Sequence, residues 1–167
     1  MPDDLSTAPW ICLAVMRLGS RMAARFDEEF RAQGITQAQF RLLIAVYSEG
    51  GTTGIAPSVL ADHLMIERAT VSVLATRLIE QALLARSPGE NRRTHRLTLT
   101  PAGRQLLGRV GPHAVTLSHE TLAGMTPDDL QRMRAILEGL EAQIRVVTGQ
   151  PSADINAHRE GKQHDKN

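Results

Sequence analysis

Apolar residues fall four apart at Ala14, Leu18, Met22, Phe26 and Phe30, marking one face of a helix from about Trp10 to Arg31. Gly34 stops it. Thr36-Gln37-Ala38-Gln39 then has the form of a capping box: the Thr36 hydroxyl accepts from the Gln39 backbone, and the Gln39 side chain reaches back. The helix it opens places Phe40, Leu43, Ile44 and Tyr47 on its apolar side and ends at Gly50-Gly51. A short helix follows from Pro57 to Leu64, with proline in the first turn, where its missing N–H costs nothing, and Val59, Leu60 and Leu64 inward. After a tight turn at Met65-Ile66-Glu67, another helix runs to about Ala82 on an inner face of Val71, Leu74 and Leu78. Two short helices joined so tightly form a helix-turn-helix.

The pattern then changes period. Leu83 to Ser87 and Thr94 to Leu99 bracket Pro88-Gly89-Glu90-Asn91, and the second run sends Leu97 and Leu99 one way, Arg96 and Thr98 the other. That alternation predicts a β-hairpin, and a hairpin directly after a helix-turn-helix is a wing. Thr100-Pro101 opens a helix with Leu106, Leu107, Val110, Ala114 and Leu117 inward, which Gly111-Pro112 should kink. Thr126-Pro127-Asp128-Asp129 starts the last helix, whose Leu130, Met133, Leu137, Leu140, Ile144 and Val147 step by three and four like a coiled-coil seam. From Thr148 the chain is polar and reads as a disordered tail. The predicted fold is mainly α with a small β-wing, a winged helix-turn-helix flanked by N- and C-terminal dimerisation helices. Its parts are an N-terminal helix over 8–34, a DNA-binding domain over 35–100, C-terminal helices over 101–147 and the tail over 148–167.

Composition narrows this further. The chain has 167 residues with an aromatic content of 3%, so its core must be chiefly aliphatic. Its single cysteine, Cys12, excludes an internal disulfide and a Cys-rich zinc site. The acidic opening lacks a signal peptide's basic and apolar regions, and the longest apolar run, Leu42 to Tyr47, is too short to span a bilayer. A cytoplasmic location without membrane contact is the expectation. None of the six histidines forms an i, i+4 pair, so no metal or other cofactor is expected. His113 and His119 read as solvent-facing or locally satisfied. Without a phosphate loop, a serine elbow, paired catalytic carboxylates or a zinc-protease motif, no residue supports catalysis.

The formal net charge is only +1, but its distribution is uneven. From Leu84 to Thr100, Arg86, Arg92, Arg93 and Arg96 stand against Glu90, a net +3 that leaves −2 for the remainder. Arginine keeps its charge and fits a narrow minor groove, which suits a DNA-binding wing. The helix before it carries Arg68, Ala69, Thr70, Ser72, Val73, Thr76 and Arg77 away from its inner face. Short side chains allow close approach to base edges in the major groove, and arginines hold phosphate or guanine. These seven, with Arg92, Arg93 and His95 on the wing, are the candidate DNA-binding residues.

Residues 59–64, 69–72, 77–80, 83–86 and 91–103, the last reading Asn-Arg-Arg-Thr-His-Arg-Leu-Thr-Leu-Thr-Pro-Ala-Gly, resemble the MarR family. The resemblance implies a bacterial homodimer that binds pseudo-palindromic double-stranded DNA, most often as a repressor, and is released by a small-molecule effector or an oxidant. Two positions depart from the family pattern. Asn91 stands where the wing has an aspartate that pairs with the arginine at position 93. Ala82 stands where the family has a glycine, so the helix is expected to leave without a left-handed turn, which alanine disfavours by about 1 kcal/mol. Cys12 resembles the peroxide-reactive cysteine of one branch, making a redox switch an alternative. The positions that donate hydroxyls there are Met16 and Phe26 here, and Tyr47 is the lone tyrosine. A second alternative is a winged helix that binds protein and not DNA. The apolar stripes of the first and last helices exceed what one winged helix can cover, which predicts a dimer.

Overall fold

The computed structural model describes residues 7–89 and 94–149. Helix α1 spans Thr7–Phe30 and runs through a 3-10 turn at Arg31–Gln33 to Gly34, whose φ of 72° is left-handed. Helix α2 spans Gln37–Gly50, α3 Pro57–Leu64 and α4 Arg68–Glu80. Strands β1 (Leu84–Pro88) and β2 (His95–Leu99) pair antiparallel, with Leu84 opposite Leu99 and Pro88 opposite His95. Helices α5 (Pro101–Thr121) and α6 (Pro127–Thr148) complete the described chain.

The capping box forms as the sequence predicts. Gln39 N–H donates to Thr36 Oγ1 at 3.2 Å, and Thr36 N–H donates to Gln39 Oε1 at 2.9 Å. A second capping box, with Thr126 and Asp129 in the same roles, opens α6.

Helix α2 is the hub of the core, packing on α1, α3, α4, α5 and β2. Neighbours on several sides bury more than one stripe: Phe40, Leu42, Leu43, Ala45 and Val46 are all inside. The expected inward positions Ile44 and Tyr47 are instead exposed. Val59 of α3 is exposed too, and Ala61 takes the inner place beside Leu60. The core is aliphatic except at one joint. There all three phenylalanines meet, Phe26 against Phe30 at 5.6 Å and Phe30 against Phe40 at 4.7 Å between ring centres, fastening α1 to α2. On α5 the five predicted inward residues are buried, and the helix continues through Pro112.

The ends of the chain differ from its centre. Of α1 only Ala14 and Phe30 are buried, so Leu18 and Met22 of the predicted stripe face outward. Helix α6 buries nothing: Leu130, Met133, Leu137, Ile144 and Val147 are exposed. Its outer surface carries an Arg134–Glu138 pair at 2.8 Å, and Glu138 raises the guanidinium pKa, first through that hydrogen bond and then through its charge. The expected tail lies outside the described residues from position 150, after Gly149 ends α6 at a left-handed φ of 64°.

The expected exit from α4 is overturned. Ala82 takes the left-handed conformation itself, at φ 56°. Ala82 N–H donates to Ile79 O at 2.9 Å and Leu83 N–H to Leu78 O at 2.8 Å, the paired bonds of a Schellman turn. Those two bonds offset the strain on the alanine Cβ. Ala82→Gly should therefore stabilise the fold by about 1 kcal/mol, read from urea unfolding.

Candidate nucleic-acid interface

Helix α4 has one anchored face. Val71, Ala75 and Leu78 are buried, with Leu74 half-buried beside them. At about 100° per residue, Ala69, Val73 and Thr76 point directly away from that face, with Thr70, Ser72 and Arg77 flanking them and Arg68 on the shoulder. All seven predicted residues are exposed, including Val73 at 54%, a β-branched apolar side chain left in solvent. Glu80 ends the same outward face and is exposed. Its negative charge marks the C-terminal turn as the end least suited to phosphate. Arg68, Thr70 and Ser72 lie in the N-terminal half, the end that enters the groove in helix-turn-helix proteins, while Thr76 and Arg77 lie toward the C-terminal end.

Polar bonds that the sequence did not disclose hold α4 at that angle. Gln39 is the buried polar residue of the described core. While its Oε1 caps α2, its Nε2 reaches Gln81 Oε1, and Gln81 Nε2 reaches the Gly34 carbonyl, both at 3.5 Å. This amide chain links the α1–α2 joint to the residue that ends α4. On the other side, Thr100 Oγ1 directs its hydrogen between the carbonyls of Ala82 (2.7 Å) and Leu83 (3.1 Å), and accepts from Gly103 N–H at 3.0 Å. Gly103 has to be glycine, because a Cβ there would collide with the Leu83 carbonyl. The Thr-Pro-x-Gly sequence signals the start of α5, but its second role as the clamp on α4 depends on a chain reversal that spacing does not reveal.

The hairpin is buried on one side through Leu84, Leu97 and Leu99 and open on the other. Ile55, ahead of α3, exchanges backbone hydrogen bonds with Leu97 at 3.0 and 2.8 Å and so adds a one-residue third strand. Arg86 and His95 are exposed. Arg92 and Arg93, with Glu90 and Asn91, lie outside the described residues. Arg96 needs a correction. Counted by sequence with the wing's outward charge, it instead turns its guanidinium onto the Gly54 carbonyl, from Nε at 3.0 Å and Nη2 at 2.8 Å.

Cys12 is an exposed thiol on α1, with no hydroxyl or cation bonded to it among the described residues. His113 is exposed, 3.9 Å from Glu29 across the α5–α1 contact. Among the described residues no three His, Cys, Asp or Glu side chains gather as a metal site. No helix among them is long and apolar enough to cross a membrane.

Residues 33–94 match the MarR family model, a stretch that contains the helix-turn-helix and the first strand of the wing and stops before β2. The chain is 26% identical over 143 residues to the HTH-type transcriptional regulator PecS of Dickeya dadantii, covering 84% of this chain and 86% of PecS. The solved MarR-family regulator of Silicibacter pomeroyi superposes with a TM-score of 0.68 at 28% identity, over 84% of this chain and 91% of that one. BpsR of Bordetella bronchiseptica does so at 0.69 and 26%, over 79% and 93%. The chain is similar to the MarR family, whose model it matches over 33–94. MarR proteins are transcriptional regulators and not enzymes. The winged helix described above shares the fold of those solved regulators, and its clamps are testable parts of that fold. Thr100→Ala removes a helix cap and the bond to the end of α4 at once. It should cost about 1–2 kcal/mol in thermal or urea unfolding.

Proposed function

We propose that this chain is a MarR-family regulator: a homodimeric, sequence-specific DNA-binding repressor released by a small-molecule effector. Residues 35–100 read the DNA, residues 8–34 and 101–147 join the two copies, and residues 148–167 stand outside both tasks. Arg68, Ala69, Thr70, Ser72, Val73, Thr76 and Arg77 of α4 face the major groove of each half-site; Arg92, Arg93 and His95 of the wing face the minor groove and its phosphates. The observation that carries this reading is the outward face of α4: short side chains and two arginines, all exposed, on a helix whose other face is buried.

The second copy is argued from surface. Trp10 is 63% exposed, Ile136 70% and Val147 75%, on two long helices that bury almost nothing of their own chain. Apolar area on that scale calls for a partner, and a two-fold pair of winged helices reads half-sites about 34 Å apart, one duplex turn.

The effector is argued from chemistry and from a relative. BpsR has its DNA binding regulated by 6-hydroxynicotinic acid. In this chain a cleft of about 370 Å³ lies between Tyr47, Ser48 and Thr52 on one side and Leu99 and Arg104 on the other. Arg104 spends one N–H on the Leu99 carbonyl at 3.0 Å, leaving donors for an anionic ligand. Such a ligand acts only through its different affinity for the DNA-competent and released arrangements.

A duplex selected from a random library by the purified protein gives the direct test. Its affinity should fall with salt along a log–log slope of about −0.9 for each phosphate neutralised. A salt-independent, protein-only association would instead mark a protein-binding module. Within the complex, Arg93→Ala should weaken binding to many sequences alike. Thr70→Ala or Ser72→Ala should mainly blur site preference, by about 1–3 kcal/mol between right and wrong bases where the contact is direct. Competition gel shifts separate the two behaviours.

A further inference from the structure

We propose that Arg96 is the positioning residue of the wing: its guanidinium ties β2 to the loop between α2 and α3 and so sets the angle at which the hairpin meets DNA. The proposal rests on the DNA-binding reading above, but the geometry behind it is independent of that reading.

Nε and Nη2 of Arg96 converge on one oxygen, the carbonyl of Gly54, at 3.0 and 2.8 Å. The next residue on each strand continues the contact, because Ile55 and Leu97 exchange both of their backbone hydrogen bonds. Gly54 makes this approach possible. Its φ is +78°, and a Cβ there would press into the Leu97 carbonyl and the Thr98 methyl. Beyond this contact the loop and the hairpin separate. A cleft of about 580 Å³ opens between Thr52 and Thr53 on the loop and Ser87 and Pro88 on the hairpin.

A two-stranded hairpin is marginal on its own and takes its orientation from what it packs against. Here the apolar side of the hairpin is seated on the core, and the fork of Arg96 is the side-chain grip at the edge facing the loop. Two parallel N–H groups on a planar guanidinium define direction as well as distance, which a lysine ammonium, a point donor on a flexible stem, does not. An arginine spent in this way contributes to DNA binding through the residues that it holds in place.

A double-mutant cycle on the selected duplex tests the assignment. Arg96→Ala is expected to weaken binding at least tenfold in the otherwise native chain. In a background already carrying Arg92→Ala and Arg93→Ala, the same change should weaken binding less than twofold, since the hairpin there has little left to position. Arg96→Lys keeps the charge and should recover only part of the loss. Equal losses from Arg96→Ala in both backgrounds, or full recovery by lysine, would make Arg96 a direct phosphate contact and overturn the proposal.

Hydrogen exchange supplies a readout that needs no DNA. The Ile55 and Leu97 amides should exchange at least tenfold faster in Arg96→Lys while α2 and α5 stay protected, and unchanged protection would equally refute the assignment. If Arg96→Ala does not fold, the lysine variant carries both measurements. If the native chain binds no duplex, the DNA-binding reading fails, and the exchange result decides the grip separately.

Discussion

The outward face of α4 is usable only because its inner face cannot move. Val71, Ala75 and Leu78 are buried against the cluster centred on α2, and no side chain on the exposed face has to contribute to folding. Arginines, hydroxyls and a solvent-facing valine can therefore occupy that face at little cost to the core. The polar clamps at the end of the helix add direction to this seating. Gln81 is joined to the α1–α2 joint, and Ala82 and Leu83 to the start of α5, so the helix is held at its last turn from both sides.

The same economy explains what the chain leaves open. A winged helix of this size has little inner surface left for α1 beyond Ala14 and its last turns, where the three phenylalanines gather, and none for α6. Their apolar residues are spaced like packing positions and lack a packing partner in the single chain. In the proposed regulator that partner is another copy. The link from Gly34 through Gln81 then gives the paired helices a physical route to α4, through which a change at α1 can reach the reading helix.

How much of this could be read from the sequence depended on whether the signal was local. The capping box at Thr36, the prolines opening α3 and α5, the alternation of Leu97 and Leu99 and the glycines after α1 and α2 act through neighbours a few residues away, and each appears in the structure as read. The exposed set on α4 was equally legible, because periodicity separates its two faces. Burial on α2 was not. With neighbours on several sides, Leu42 and Val46 are as deep as Leu43, and a single-stripe reading misplaced Ile44 and Tyr47. Ala82 failed for a different reason. Propensity argued against a left-handed alanine, but the two Schellman bonds and the Thr100 hydroxyl on its carbonyl outweigh that preference. Arg96 looked like wing charge because counting charge does not reveal that the Gly54 carbonyl, 42 residues earlier, lies within reach.

The central claim is that two copies of this chain present two α4 helices to one duplex. The most direct measurement is the mass of the intact complex with its selected duplex, by native mass spectrometry. The account predicts two chains on each duplex, formed from protein that is already paired before DNA is added. A single chain on the duplex, or a protein that stays monomeric while binding it, would contradict the account.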